Sequence, residues 1–290
     1  MIRVILQGGL GNQMFEYAAA YALAHERNMP LALDMSFMDV FGHKPWCRAY
    51  ELSVFALHNS ALFTHKHRLA VRLLPRLRKW SRTCGKRHWG PFVFEMQHMN
   101  DAPQRESLVL FDYCANYHLF ETYREDLLRA FTFAEQPNTA NEQLLEAMQR
   151  TQSVAVHIRR GDYLSEAYKN IFYHPSEAWY RQAMHEMEKH VAQPQYFFFS
   201  DDIPWVREQF KDISNAVFVD INHGEDAYND MRLMSHCKHN IIANSSFSWW
   251  GAWLNENHHK MVIAPAKYYM DEASNEKYKR NMLPQAWLQI

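Results

Sequence analysis

Cysteine is scarce in this 290-residue chain: Cys47, Cys84, Cys114 and Cys237 lie far apart. They make no Cys-x-x-Cys pair and no dense framework, which excludes the disulfide scaffold of small secreted domains and suits a reducing compartment. Charge of one sign is also lacking, since 31 basic and 32 acidic residues leave a net charge of −1. No global field therefore favours nucleic acid. No apolar run approaches the length needed to cross a bilayer. The chain enters an apolar segment at Ile2 without the basic and apolar regions of a secretion signal, so the expected location is cytoplasmic.

Glycine numbers only nine, and its placement excludes two common nucleotide motifs. Gly9 and Gly11 follow an opening strand, but Met14 stands where the dinucleotide fingerprint needs a third glycine, and no Gly-Lys-Ser/Thr follows. Metal-binding spacings are absent as well. Asp201-Asp202 is not Asp-x-Asp, His185 and His190 miss the zinc spacing by one residue, and His236, Cys237 and His239 open a buried strand. No metal and no cofactor are expected.

What is present is an α/β pattern. At 34.5 kDa the chain exceeds one ordinary core, and two domains are expected, 1–150 and 151–290, with Gln136-Pro137-Asn138-Thr139 as the marker of the boundary. The C-terminal tail is a candidate to pack back on the first domain. Strands are predicted at 2–6, 31–34, 108–113, 153–158, 195–200, 216–219, 240–243 and 260–264. Helices are predicted at 12–27, 139–150, 176–190, 203–210, 226–236 and 247–256. From residue 153 onward strand and helix alternate regularly, as in a doubly wound nucleotide-binding domain.

Three segments carry chemistry. Val154-Ala155-Val156 runs into His157-Ile158-Arg159-Arg160-Gly161-Asp162-Tyr163, a buried strand ending in two guanidinium groups where open α/β sheets bind ligands. Paired arginines suit a diphosphate, because each planar fork makes two parallel hydrogen bonds and stays charged. An ion pair with Asp162 that closes the strand is an equal reading of this segment alone. The glycine turn Gly8-Gly9-Leu10-Gly11-Asn12-Gln13 brings backbone N–H groups toward a ligand, with Asn12 and Gln13 offering amides to a sugar. A tight turn with Asn12 as a helix cap is its plainer reading. In Asn244-Ser245-Ser246-Phe247-Ser248-Trp249-Trp250, backbone N–H groups and two hydroxyls suit a phosphate, while Trp249, Trp250 and Trp253 belong in a core. Asp201 and Asp202 either orient the arginines or cap the next helix.

Together, Gly8 to Ala18, His157 to Tyr163, Phe199 to Asp202 and Asn244 to Leu254 resemble glycosyltransferase family 11, the α-1,2-fucosyltransferases. The resemblance implies a GT-B-like fold, two Rossmann-like domains facing across a cleft, with acceptor on the first and GDP-fucose on the second. It implies metal-independent, inverting transfer to the 2-hydroxyl of a terminal galactose, in glycan synthesis such as that of O-antigen. It places Arg159 on the diphosphate with Arg160 beside it, His157 on the nucleoside, and Ser245, Ser246 and Phe247 at the phosphate-side turn after Asn244. Gly9 and Gly11 shape the donor side and Asn12 lies near the transferred sugar. Asp230 aligns with an acid that reads the base, and Asp226 competes with it. Family members often have Gln where this chain has Glu16. For the base that takes the acceptor proton, Asp162, Glu16 and Asp34 are candidates.

Between His65 and Trp89 lie nine Lys or Arg and no acid. Leu69, Leu73, Leu77 and Trp80 recur there at helical spacing, and Pro75 confines the helix to shorter pieces. A solvated helix is one reading. Peripheral contact with anionic lipid, fitting a lipid-linked acceptor, is the other. Two rivals stand beside the main reading: a transferase for another GDP-sugar or fucose linkage, and a glycan-binding protein without catalysis, suggested by 14% aromatic residues.

Overall fold

A computed structural model describes the chain except residues 45, 58–61, 162, 164 and 167. It divides into two compact units, Met1–Glu135 and Gln136–Ile290.

In the first unit, β1 (Ile2–Ile5) leads into α1 (Leu10–Glu26), followed by β2 (Leu31–Asp34), α2 (Ser36–Phe41), β3 (Leu62–Thr64) and α3 (Leu74–Thr83). The hairpin β4 (His88–Trp89) and β5 (Phe92–Val93), then β6 (Leu108–Leu110) and α4 (Arg124–Ala130), complete it. The sheet order is β3-β2-β1-β6-β5-β4, parallel except for β4. Gly8 holds a positive φ of 73°, and the side chain of Asn12 packs where a Cβ would stand, so only glycine suits the turn. Alanines 18–20, 22 and 24 then let α1 lie buried against its neighbours on nearly every side.

The second unit runs α5 (Thr139–Arg150), β7 (Gln152–Ile158), α6 (Glu177–Glu188), β8 (Pro194–Ser200), α7 (Ile203–Gln209) and β9 (Ala216–Phe218). It continues with α8 (Tyr228–His236), β10 (His239–Ile241), α9 (Ser246–Leu254), β11 (Val262–Ala264), α10 (Glu272–Met282) and β12 (Leu288–Gln289). The all-parallel order β9-β8-β7-β10-β11-β12 is that of a dinucleotide-fold sheet. β7 and β8 are covered on both faces, which is why Val154, Val156, Tyr196 and Phe198 make a near-continuous apolar run in the core. The strand order reverses between β7 and β10, so the crevice beyond their carboxyl ends is the expected ligand position.

Both units are α/β with largely parallel sheets, the composition of a GT-B-like fold. One expectation changes. Helix α5 packs on α8 and β7, so the division falls at Glu135/Gln136 rather than near 150. The C-terminal tail is an edge strand of the second sheet, with β12 hydrogen-bonded to β11. No helix among the described residues is long and apolar enough to cross a membrane.

Candidate active site

The carboxyl end of β7 carries His157 and Arg159 on one side of the strand and Arg160 on the other, by simple alternation. The His157 ring lies 5.9 Å from that of Phe247, in the first turn of α9. His157 therefore lies on the side of β7 that meets the α9 turn, at the reversal of strand order, and Arg159 follows just past the end of the strand. Burial pushes the His157 imidazole down to about 4, with the positive charge of Arg159 adding to the effect against the pull of Asp201. The ring is neutral at pH 7, so hydrogen bonding rather than charge is what it can offer a ligand.

The arginines are held separately. Arg159 Nη1 lies 3.0 Å from Asp201 Oδ2, and Arg160 Nε donates to Asp202 Oδ2 at 2.9 Å. The Arg160 guanidinium lies 3.7 Å from the centre of the Trp205 ring, which fixes it against α7. Asp202 also caps α7, accepting from Trp205 N. Both sequence readings of the Asp201-Asp202 pair are thus realised at once. Asp201 Oδ1 accepts from Arg160 N at 2.9 Å, and a Cβ at Gly161 would collide with the Asp201 carboxylate. Glycine is required there for close approach. Asp162 lies outside the described residues.

Asn244 joins β10 to this loop. Its side-chain amide donates to the Tyr173 carbonyl and, at 3.2 Å, to that of Tyr268. Its own carbonyl accepts from Tyr163 Oη at 2.9 Å. The donor atoms of Asn244 are therefore engaged in positioning the loop. Ser245 caps α9, its hydroxyl accepting from Phe247 N at 3.3 Å. Ser246 is the first residue of α9 and is half-buried. Trp249 and Trp250 have no exposed surface and Trp253 only 5%, so all three pack the core as expected.

Asp230 stands in the first turn of α8, at the same carboxyl edge of the sheet. Asn222 Nδ2 donates to its Oδ1 at 2.8 Å, and Asn222 exchanges paired amide hydrogen bonds with Asn141 of α5. Desolvation pushes the Asp230 carboxyl up to about 7, although the Asn222 amide works against the rise. Asp226 is exposed in the short helical turn before α8.

Gly9, Gly11 and Asn12 belong to the first unit, at the carboxyl end of β1. Gly9, not Asn12, is the N-cap of α1. The Leu10 N–H is given to Glu51 Oε2 at 2.7 Å, so a carboxylate of the chain already occupies that helix N-terminus. Gln13 is structural: its amide donates to the carbonyls of Gly8 and Ala49 and accepts from Glu51 N. Two of the proposed bases do not fit the role. Asp34 is fully buried, and although burial favours its neutral form, hydrogen bonds from His67 and Ser36 hold its carboxyl below the usual range.

Glu16 is also fully buried. Its Oε2 accepts from Gln7 N at 2.9 Å and its Oε1 has no hydrogen-bond partner among the described residues. Desolvation holds the carboxyl well above the usual carboxylate range. The fold thus prefers the protonated acid, and the stability it confers below about pH 4.5 is lost as pH rises from there toward the folded-state value. Glu16→Gln keeps the acceptor for Gln7 N without the ionisation. Thermal melts at pH 5 and pH 8 are expected to show a variant more stable than the parent at pH 8, with the difference shrinking toward pH 5. A parent equally stable at both pH values would contradict a buried neutral Glu16.

Sequence reasoning missed Trp205, Asn222 and Asn141, which come from helices and loops distant in the chain. No spacing marks them. Tyr163 lay inside the arginine motif without a role; its ring stacks on Phe172 at 4.7 Å and braces the loop.

The family model for glycosyl transferase family 11 matches residues 1–290. The chain belongs to this family. An O-antigen biosynthesis glycosyltransferase, WbnK of Escherichia coli, is 30% identical over 98% of the chain and 99% of its own length. An alpha-1,2-colitosyltransferase of the same species is 33% identical over 98% of the chain and 97% of its own length. Galactoside alpha-(1,2)-fucosyltransferase 2 of Oryctolagus cuniculus is 24% identical over 85% of the chain and 65% of its length. In fold, this family 11 chain is similar to the crystal structure of fucosyltransferase NodZ from Bradyrhizobium, with a TM-score of 0.58, 13% identity, and coverage of 86% of this chain and 91% of that one. The protein is therefore a glycosyltransferase.

Proposed function

We propose that this enzyme transfers L-fucose from GDP-fucose to the 2-hydroxyl of a terminal galactose on a glycan, with inversion, giving an α-1,2-fucoside. The observation that carries this reading is the meeting at the carboxyl end of β7 of His157, set against Phe247 of the α9 turn, and Arg159, held by Asp201. A neutral ring donor and a fixed guanidinium beside a helix N-terminus suit a nucleoside diphosphate. Names of relatives that specify α-1,2 transfer and galactosides support the linkage and acceptor. The O-antigen biosynthesis relative supports a glycan of that class as the acceptor.

The acceptor oxygen attacks the anomeric carbon as the bond to the β-phosphate oxygen breaks and GDP leaves with the electron pair. Charge grows on the β-phosphate, and Arg159 stabilises it more in the transition state than in the ground state. Ser245, Ser246 and the N–H groups of the α9 turn assist. Asp201 keeps the Arg159 fork aimed, and Arg160, stacked on Trp205, anchors the loop. Of the three candidate bases, Asp162 is retained on its place in the motif. Asn12 is assigned to the transferred sugar on the resemblance alone.

Incubation with GDP-fucose and a panel of galactose-terminated glycans, with the product linkage assigned by NMR, tests the reading. Release of GDP without a fucosylated product would defeat it. A second reading, transfer of colitose or another deoxysugar from its GDP form, is favoured by the 33%-identical colitosyltransferase, and donor competition separates the two. With arginine in the place of a metal ion, activity is expected to survive exhaustive EDTA treatment. Loss that only Mg²⁺ or Mn²⁺ restores would overturn the metal-independent mechanism.

A further inference from the structure

The basic segment of the first unit has no part in the proposed transfer. Of its nine cations, three meet carboxylates: Arg68 with Asp39, Arg78 with Asp112 and Arg87 with Asp101. Lys66, Arg72, Arg76, Lys79, Arg82 and Lys86 have no carboxylate within 4.0 Å among the described residues.

Helix α3 starts with Pro75 in its first turn, where a missing N–H costs nothing. It turns Leu74 and Ser81 fully inward, with Leu77 packed on the same core. The apolar residues that recur at helical spacing divide between two sides. Leu73 and Trp80 point the other way, 54% and 48% exposed, and Leu69 just before them is 84% exposed. Arg76 lies between Leu73 and Trp80 on this outer side by helical spacing, flanked by Arg72 and Lys79. Large exposed apolar side chains set among unneutralised cations mark an interaction surface.

We propose that this outer face of α3 and the turn before it dock on an anionic lipid bilayer. Leu69, Leu73 and Trp80 enter the headgroup boundary, and Lys66, Arg72, Arg76 and Lys79 meet lipid phosphates. Leu and Trp flanked by Lys and Arg are the composition of an interfacial helix, because the indole prefers the boundary and the long basic stems reach back to the headgroups. A second copy of the chain does not suit the face. An isologous contact would set cation against cation, and three apolar side chains fall well short of the roughly 800 Å² per partner of a stable interface.

Co-sedimentation with vesicles of phosphatidylcholine alone or mixed with phosphatidylglycerol tests the proposal. The intact protein is expected to bind the mixed vesicles at about 0.1 M salt and to be released at about 1 M. Arg72→Gln/Arg76→Gln/Lys79→Gln is expected to lower partitioning about a hundredfold, from three cations removed near a charged surface. Leu73→Ser/Trp80→Ser should lower it too, at unchanged salt dependence. Both variants should retain transfer to a soluble acceptor, showing that they fold. The proposal fails if the intact protein ignores the mixed vesicles, binds phosphatidylcholine equally well, or binds undiminished in either variant. It fails equally if light scattering shows a dimer that the same substitutions dissolve. Vesicle binding needs neither donor nor acceptor, so its failure leaves the proposed transfer untouched.

Discussion

Arg159→Ala is expected to lower kcat/KM for donor-dependent transfer at least about 10²-fold, roughly 2.7 kcal/mol of barrier, the loss that follows removal of one preorganised charge-stabilising donor. Its partner sharpens the effect. Removing the guanidinium leaves the Asp201 carboxylate without its ion-pair partner, still accepting from Arg160 N, to repel the departing diphosphate. Arg159→Lys is expected to recover little, because a point charge cannot hold both Asp201 and a phosphate in the geometry of a planar fork. Thermal stability should change little, since the ion pair is partly exposed and such pairs contribute modestly. Near-parental turnover by a folded Arg159→Ala protein would remove Arg159 from the mechanism.

Asp230→Asn is expected to raise the apparent KM for GDP-fucose by about 10- to 100-fold, in line with the loss of a charged hydrogen-bond acceptor, and to weaken GDP inhibition in parallel. The N1–H and N2–H₂ groups of guanine need two acceptor oxygens, and the variant presents an amine in place of one. Asn222 keeps its acceptor in the variant, so the network with Asn141 survives. The sign with pH follows from a carboxyl pushed up to about 7 by desolvation. The proposed contact with guanine needs the ionised form, so the parental donor KM should fall as pH rises from 6 to 8, and this dependence should vanish in Asp230→Asn. His157 does not confound the profile, because a ring pushed down to about 4 stays neutral across that range. A large loss in Asp226→Asn, with Asp230→Asn unchanged, would transfer base recognition by one helical turn.

Both predictions rest on a unit whose architecture was legible in advance. Helix α5 was read at its observed bounds and β7 and β8 to within a residue, because strands buried on both faces leave long apolar runs that stop at a charge. The first unit was less legible. Strands β3, β4 and β5 have two or three residues each, too few to show a period of two, and β3 is largely exposed at an edge of its sheet.

Sequence by itself determined that a buried strand ends in His157, Arg159 and Arg160, that Gly8 turns the chain into an alanine-rich helix, and that the α9 tryptophans fill a core. Apolar periodicity and glycine placement are local, and they survive folding. Only the tertiary structure decided how each charged group is used. It divided Asp201 and Asp202 between two arginines, and engaged the amides of Gln13 and Asn244 in holding loops. It buried Glu16 and Asp34 beyond the reach of an acceptor hydroxyl. It set Asp230 beside Asn222, itself paired with Asn141 from 81 residues away, and it turned Leu77 inward while leaving Leu73 and Trp80 outward. Each of these depends on desolvation or on a partner distant in the chain, and neither quantity is written in local sequence.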